Sequence, residues 1–213
     1  MKLLGPYSFL TNTRLLVRRN IRKFIIENTT KKHYKHVVDI GVGKAPYKKL
    51  IKHDVYTGVD IEDRGGVENV LIEDLNEGLS LPDNIADLII ITEVLEHIKQ
   101  PQKAVNELYR VLKKGGECVI TVPFVWEMHE VPNDFFRYTY FGIEHLLKEA
   151  GFKSYTVTPS SGHWYTMCQI ALIRLRSKWF IPIVVCMNLL GIFVHKFEKN
   201  GNFPLGFFVV AKK

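Results

Sequence analysis

The stretch from Val37 to Asp60, VVDIGVGKAPYKKLIKHDVYTGVD, constrains the fold more than any other part of this 213-residue chain. One apolar run stops at Gly41-Val42-Gly43, and a second, 55–59, ends in the acid Asp60. This order predicts a strand, a glycine turn and a second strand. Glycines allow the backbone to approach a ligand, and an acid at the end of the second strand can accept hydrogen bonds from ribose hydroxyls. The stretch therefore predicts a site for an adenosine-type ligand.

The glycine pattern departs from the dinucleotide motif G-x-G-x-x-G because Pro46 occupies the position of the third glycine. Only Tyr47 to Lys52 remain for a helix before the next strand, so that helix is expected to be short and a poor binding site for a pyrophosphate. This favours an adenosyl ligand without phosphates and disfavours a nicotinamide-dependent dehydrogenase.

Four segments follow one another in order: Asp39-x-Gly41-x-Gly43, then Gly58-Val59-Asp60, then DLIIITEVLEH over 87–97, then LKKGG over 112–116 leading into 117–123. Together they resemble the motifs of the class I S-adenosylmethionine-dependent methyltransferases. The resemblance implies S-adenosylmethionine as the cofactor. It also implies an α/β, Rossmann-like fold, with a seven-stranded, mostly parallel sheet, an antiparallel last strand and helices on both faces.

Hydrophobic periodicity gives the order of the elements, in agreement with such a fold. Strands are predicted at 36–40, 55–59, 68–72, 86–92, 118–122, 153–158 and 203–212. Helices are predicted at 13–28, 101–112, where Gly115-Gly116 marks the stop, and 140–150. The simplest division is a basic, helical extension over 1–35 and a methyltransferase domain over 36–213 that contains an apolar, helical insertion at 159–202.

For the methionine part of the cofactor, the resemblance implies that Gly41 and Gly43 let the backbone come close. Asp39 is expected to order this loop or to meet the amino group of the ligand. Thr92 and Glu93 end the fourth strand and are expected to face the methionine moiety.

For the adenosine part, Asp60 is expected to bind the ribose hydroxyls, with Ile61 against the adenine. Asp74 and Leu75 are expected to border the adenine, with the acid accepting a hydrogen bond from its amino group. Glu96 and His97 follow on a turn. They are expected to orient the loop by hydrogen bonding, and a direct catalytic role is the alternative.

The acceptor substrate is expected at the segment 123–139, PFVWEMHEVPNDFFRYT, which concentrates aromatic, acidic and basic residues. The run resembles methyltransferases associated with glycan and polysaccharide modification. His129 is predicted to act as a general base towards a hydroxyl, and Arg137 to bind a phosphate or carboxylate. Asp134 is either the base or the partner of Arg137 in an ion pair that holds the loop over the cofactor, and both readings stay open here.

The net charge of +7 is concentrated at the two ends of the chain. Residues 1–36 hold nine bases and one acid and residues 174–213 hold seven and one, while the middle holds 13 bases and 20 acids. The run 13–28 is a basic amphipathic helix, expected to cover the sheet beside the cofactor or to contact a membrane surface. The three distant cysteines predict neither disulfides nor a metal site, so a reduced, cytoplasmic location is expected.

The insertion carries the apolar run 180–194, which as a helix reaches only ~22 Å, less than the ~30 Å of a bilayer core. With the basic residues between 174 and 199, it is predicted to contact the inner face of a membrane peripherally, to cover the active site as a lid, or to form a homodimer surface.

The function predicted from these observations is methyl transfer from S-adenosylmethionine to an oxygen or nitrogen of a small-molecule or glycan-type acceptor, with a lipid-linked acceptor as one form. An RNA or DNA methyltransferase is the nearest alternative, disfavoured because the fourth strand ends in TEVLEH and lacks the box that receives a flipped base. A protein that binds the cofactor without catalysis is the other alternative.

Overall fold

A computed structural model describes residues 8–68, 70–198 and 201–213. Within these residues the strands are β1 His33–Ile40, β2 Lys52–Asp60, β3 Leu71–Ile72, β4 Ala86–Thr92, β5 Leu112–Pro123, β6 Ser154–Pro159 and β7 Gly206–Lys212. The α-helices there are α1 Leu15–Thr29, α2 Pro101–Val111, α3 Tyr140–Glu149, α4 His163–Leu172 and α5 Ile181–Val194.

The seven strands form one sheet in the order β3-β2-β1-β4-β5-β7-β6. The strands from β3 to β5 in this order run parallel, whereas β7 lies antiparallel between β5 and β6. The sheet order reverses between β1 and β4, which is where parallel α/β sheets bind ligands, at the carboxyl ends of the strands. The predicted Rossmann-like architecture, including the antiparallel last strand, is confirmed.

Alternating side chains of the strands form a core on each face of the sheet. On one face, Ile89 and Ile91 pack with Leu108 of α2 and Leu147 of α3, all fully buried. On the other face, α1 lies against the sheet, and its Phe24 stacks on Phe208 with ring centroids 4.4 Å apart. Because the pleat sends successive side chains to opposite faces, near-continuous apolar strands can serve both cores at once.

The connection between β1 and β2 differs from the prediction. The helix expected over Tyr47–Lys52 is wrong: in the fully described stretch 41–51 the helical residues are the 3₁₀ turn Lys48–Leu50, and β2 already begins at Lys52. Gly41, Gly43 and Ala45 all have positive φ, so the chain turns repeatedly and leaves too few residues for an α-helix. The turn still packs on the sheet face covered by α1, because Tyr47, Leu50 and Ile51 belong to the same hydrophobic core as Phe24.

Three strand boundaries also need correction. β3 is limited to Leu71–Ile72, shorter than the predicted 68–72, and β7 begins at Gly206, later than the predicted 203. β5 begins at Leu112 and runs through the two glycines that were taken as a stop. Gly115 has φ +78 and its N–H donates to the carbonyl of Lys213 at 2.8 Å, so the glycine adapts the strand to its neighbour without ending it.

The residues between β6 and β7 contain α4 and α5, which pack beside α1. The hydroxyl of Tyr165 in α4 donates to the carbonyl of Leu16 at 2.7 Å, and the amide of Asn188 in α5 donates to the carbonyl of Leu10 at 2.7 Å. A Cβ on Gly191 would come within 2.5 Å of Leu16, so this glycine permits the close approach of α5 to α1. In the described part of the chain, no helix combines the length and the apolarity needed to cross a bilayer.

Candidate active site

A cleft of about 280 Å³ opens at the carboxyl ends of β1, β2 and β4. Its floor comes from the residues that end these strands, and its outer wall from the segment between β5 and α3. Of the residues predicted to bind the cofactor, seven line this cleft: Gly41, Asp60, Ile61, Asp74, Leu75, Thr92 and Glu93.

Gly41 directly follows β1 with φ +70, a backbone conformation that residues with a side chain rarely adopt. A Cβ at this position would lie 2.3 Å from Cγ2 of Val94, another residue that lines the cleft. The missing side chain therefore keeps open the cleft where β1 and β4 meet.

Asp60 ends β2 and holds the glycine turn in place. Its Oδ2 accepts a hydrogen bond from the N–H of Gly43 at 2.8 Å, and its Oδ1 accepts one from the N–H of Ile61 at 2.8 Å. Each carboxylate oxygen can accept a further hydrogen bond. Asp60 can therefore fix the turn and still accept hydrogen bonds from two hydroxyls of a ligand.

Two predicted cofactor residues, Asp39 and Gly43, do not line the cleft. Asp39 is 2% exposed and points to the sheet face covered by α1, where the hydroxyl of Tyr56 donates to its Oδ2 at 2.5 Å. Burial raises the pKa of Asp39 to about 7, partly offset by this hydrogen bond. The hydrogen bond of Asp39 is thus made to Tyr56 of β2, and both of its predicted roles, ordering the loop and meeting the amino group of the ligand, stay predictions.

The end of the cleft near β3 combines an exposed apolar side chain with acids. Ile61 is 64% exposed and presents a flat apolar surface, while Leu75 is buried beneath. Asp74 uses Oδ1 to accept two hydrogen bonds from Asn76, at 2.9 Å from the backbone N–H and 2.8 Å from the side chain. Its second oxygen can meet a ligand amino group, as the predicted contact with adenine requires.

At the end of β4, Thr92 hydrogen-bonds the hydroxyl of Tyr47, and Glu93 has φ +53. Oε1 of Glu93 accepts a hydrogen bond from the Thr121 hydroxyl at 2.7 Å. Burial raises the pKa of Glu93 to about 6, against the opposing effect of this hydrogen bond. The unusual backbone conformation turns the Glu93 carboxylate towards the cleft, where it can meet a cationic group.

The three predicted catalytic residues lie together beside the cleft but do not line it. Arg137 donates to both oxygens of Asp134 at 2.7 Å and to the carbonyls of Glu127 and Phe136 at 2.9 and 2.8 Å. The backbone N–H of His129 donates to Asp134 at 2.9 Å. The side chains of Asp134 and Arg137 thus form the internal ion pair that sequence reasoning left open, and this pair holds the segment 123–139 in shape.

This segment is docked on the 3₁₀ turn Leu95–His97 that follows β4. The N–H groups of Phe135 and Phe136 donate to the carbonyl of Glu96 at 2.8 and 3.2 Å. The hydroxyl of Tyr138 donates to the backbone carbonyl of Leu95 at 2.8 Å. The segment therefore forms a wall that is fixed by backbone contacts at the acceptor side of the cleft.

The charge of the cleft favours a cationic ligand. Its lining contains two bases and five acids: Arg64 and Lys99, against Asp60, Glu73, Asp74, Glu93 and Glu130. No helix N-terminus points at the cleft from the fully described turn 41–51, so the usual device for holding a pyrophosphate is missing there. S-adenosylmethionine carries a sulfonium and an ammonium group against one carboxylate, so its charge matches this lining better than that of a dinucleotide.

Sequence reasoning missed several residues of the wall. They are Arg64, Asn76, Lys99, Glu130, Asn133 and Phe135, while His97, which also lines the cleft, had been named as a residue that orients the loop. The segments that carry them lie next to predicted site residues, but only the fold shows which of their side chains face the cleft. Glu130 and Asn133 adjoin the predicted His129 and Asp134, so the right segment was found with the wrong members facing the ligand.

Comparisons with known proteins agree with this geometry. Residues 38–120 match a family profile described as "Methyltransferase domain". The chain is 31% identical over 81 residues to the ubiquinone biosynthesis O-methyltransferase of Pseudomonas entomophila, covering 38% of this chain and 32% of that protein. It is 30% identical to the phosphatidylethanolamine N-methyltransferase of Cereibacter sphaeroides, covering 41% and 50%. The chain spans between 32% and 66% of the length of the curated relatives it matches.

The fold is similar to that of a SAM dependent methyltransferase from Archaeoglobus fulgidus, with a TM-score of 0.61 and 97% of each chain covered. The two sequences are 21% identical, so this similarity concerns the fold.

Proposed function

We propose that this chain transfers a methyl group to an acceptor at the outer wall of its cleft. The premise is that residues 38–120 form a methyltransferase domain of the class I, S-adenosylmethionine-dependent kind. The observation that carries the proposal is the acidic cleft at Gly41 and Asp60, whose described glycine turn, 41–51, offers no α-helix N-terminus for phosphates. Bound there, the cofactor would supply an electrophilic methyl group on a sulfonium.

The residues of the cleft have separate tasks in this proposal. Asp60 would accept hydrogen bonds from the ribose hydroxyls, while Ile61 and Asp74 would contact the base. Glu93 would hold the cationic part of the ligand and so fix the direction in which the methyl group points. Alignment of an acceptor atom with that methyl group supplies much of the rate of an in-line displacement, so a rigid wall is an asset.

Asp60→Ala should weaken S-adenosylmethionine binding at least tenfold in isothermal titration calorimetry. The variant loses hydrogen bonds to a charged acceptor, each of which contributes about 1.5–3 kcal/mol. Asp54→Ala is the matched control, because Asp54 lies near the other end of the same strand, β2, and pairs with His33 in an exposed contact. A folded wild-type protein that binds no S-adenosylmethionine would refute the proposal.

The acceptor is proposed to be a small molecule or glycan carried on a lipid. Two relatives are named for ubiquinone biosynthesis and for phosphatidylethanolamine, which is a phospholipid. α5 and its flanks add an apolar surface with side chains that are 39–90% exposed, formed by Trp179, Phe180, Ile183, Leu189, Leu190, Phe193 and Phe197. Exposed Arg174, Lys178 and Lys196 border this surface, and that combination is typical of a helix lying on an anionic membrane. Lys199, which was included in this prediction, lies outside the described residues.

The chain should co-sediment with vesicles of phosphatidylcholine and phosphatidylglycerol and less with phosphatidylcholine alone, because both apolar burial and charge contribute. Trp179→Ser with Phe193→Ser should reduce sedimentation several-fold, while Phe141→Ser, on exposed α3, should not. Failure of the wild type to bind anionic vesicles at low salt would refute the lipid contact. If light scattering shows a dimer that dissociates in the double variant, the surface binds a second copy of the chain instead.

A further inference from the structure

Glu96 is the most unusual side chain beside the cleft. It is 0% exposed, and within the described residues neither of its carboxylate oxygens has a hydrogen-bond partner. An ionised carboxylate in such a place is costly unless a cation or a donor meets it. The nearby hydroxyl of Tyr138 donates to the carbonyl of Leu95 and not to this carboxylate, so the side chain can still take a cationic partner.

Two imidazoles face this carboxylate. Nε2 of His97 lies 3.7 Å and Nε2 of His129 lies 3.9 Å from Oε1 of Glu96, and the three candidate ligand atoms all lie within 4.8 Å of one another. The two rings meet edge to face with centroids 4.9 Å apart.

The contacts of the opposite ring nitrogens bear on which nitrogen carries the proton. Nδ1 of His97 lies 2.6 Å from the carbonyl oxygen of Asn133. This contact places the proton of His97 on Nδ1 and leaves its Nε2 with a free lone pair, which is the usual environment of a histidine that binds a metal. Nδ1 of His129 lies 3.3 Å from the carbonyl of Glu127, 3.4 Å from Oδ2 of Asp134 and 3.5 Å from Nη2 of Arg137, so its Nε2 is the nitrogen that faces Glu96.

We propose that Glu96, His97 and His129 bind one divalent first-row transition metal ion at the acceptor side of the cleft. Bonds of ~2.0–2.2 Å to such an ion set neighbouring ligand atoms roughly 3–3.5 Å apart. The two separations from Glu96 Oε1, 3.7 and 3.9 Å, are close to that range, while separations of up to 4.8 Å within the group require the ring nitrogens to move together on binding. Two imidazoles and one carboxylate suit zinc, manganese, iron or cobalt, and leave coordination positions open.

His97 lines the cleft, and its Nε2 lies 3.8 Å from Oε2 of the exposed Glu130, which lines it too, so in this proposal the open positions lie on the side of the cleft. This position of the ion assigns the class of the acceptor, and the assignment rests on the proposed function. The acceptor is a hydroxyl group, because the ion can bind its oxygen and lower its pKa. The O–H proton passes through the Glu130 carboxylate to water. The oxygen then forms a bond to the methyl carbon while the carbon–sulfur bond breaks and its electron pair returns to sulfur, which loses its positive charge.

Cobalt(II) titration of the untagged, EDTA-treated chain tests the metal site directly. We expect one equivalent to produce visible d–d absorption and a rise in melting temperature, both reversed by EDTA. Glu96→Gln and His129→Gln should weaken binding by more than about 100-fold, beyond the 10–100-fold typical of outer-shell changes. His145→Asn, in an exposed position on α3, should bind like the wild type.

Glu96→Gln also guards against a folding artefact, because it replaces a buried carboxyl without a hydrogen-bond partner by a neutral amide of the same shape. Its melting temperature without metal should equal or exceed that of the wild type, while the cobalt-induced rise should be lost. Absorption and stoichiometry that are the same in the wild type and in Glu96→Gln would overturn the proposal, and so would the absence of any bound cobalt.

Calorimetry with S-adenosylmethionine in EDTA separates this inference from the proposed function. Cofactor binding that persists without metal, together with hydroxyl methylation that needs it, is the expected pair of results. Cofactor binding without cobalt binding would overturn the metal site alone. Cobalt binding without cofactor binding would refute the methyltransferase proposal and leave the metal site standing.

Discussion

Replacing Arg137 with alanine should lower the free energy of unfolding by about 3–5 kcal/mol, because it leaves the Asp134 carboxylate buried without its partner. The Asp134 side chain is only 3% exposed, and Arg137 meets both of its oxygens. The same guanidinium donates to two backbone carbonyls of the segment 123–139, so its loss also frees the wall of the cleft. Urea unfolding followed by circular dichroism measures the change.

The pH dependence of that difference identifies its cause. The guanidinium beside Asp134 holds the pKa of this carboxyl well below its usual range, so the pair stabilises the fold fully above the unfolded pKa of about 3.9 and loses its effect as pH falls below it. The gap between wild type and Arg137→Ala should therefore be smaller at pH 3 than at pH 7. Lys148→Ala removes an exposed pair with Glu144 and should change stability by less than about 0.5 kcal/mol. A loss below about 1 kcal/mol for Arg137→Ala would contradict the structural role.

Gly41→Ala should cost about 2–5 kcal/mol of stability and reduce S-adenosylmethionine binding below detection. The left-handed backbone at φ +70 contributes roughly 1–2 kcal/mol, and forcing a methyl group to within 2.3 Å of Val94 contributes about 1–3 kcal/mol more. The displaced Val94 side chain would enter the cleft. Thermal unfolding and calorimetry report the two effects separately.

The control for this variant is Gly115→Ala, which has φ +78 and no atom within 4 Å of the new Cβ. It carries the backbone strain without the collision and lies in β5, away from the cleft. We expect it to lose roughly 1–2 kcal/mol and to bind the cofactor normally. Equal losses in the two variants would show that the contact with Val94 has no consequence.

The sequence was informative where one physical requirement dominated. Apolar runs between polar turns identified the strands, because a strand buried on both faces has few alternatives in sequence. Asp60 was recognised from its spacing to Gly41. A chain that leaves one parallel strand and returns through the next reaches the carboxyl end of its neighbour after about this many residues. The helix predicted after Gly43 was wrong, because the positive φ of Gly43 and Ala45 keeps the chain turning and the sequence alone does not show that Ala45 adopts this conformation.

The cluster around Glu96 shows what sequence could not supply. Glu96 and His97 are adjacent on a 3₁₀ turn, but His129 reaches them only because Arg137 and Asp134 fold the segment after β5 back onto that turn. His129 was predicted as a base from its residue type and its place in the acceptor segment, but its orientation towards Glu96 depends on contacts between segments that are distant in sequence. The sequence likewise could not show which face of α5 is exposed. Asn188 and Gly191 are buried and lie on the side of α5 that packs against the N-terminal part of the chain.

The position of β7 bears on how the chain acquires its fold. β6 pairs with β7, and β7 pairs with β5, so β6 has no neighbour in the sheet until Gly206–Lys212 has been inserted. During synthesis from the N-terminus, β6, α4 and α5 emerge before the strand that joins them to the sheet. Closing so long a loop is slow, and the unpaired edge of β5 stays available to other chains in the meantime. The half of the sheet that carries the cleft, from β3 to β5, can meanwhile assemble through parallel pairs that do not wait for β7.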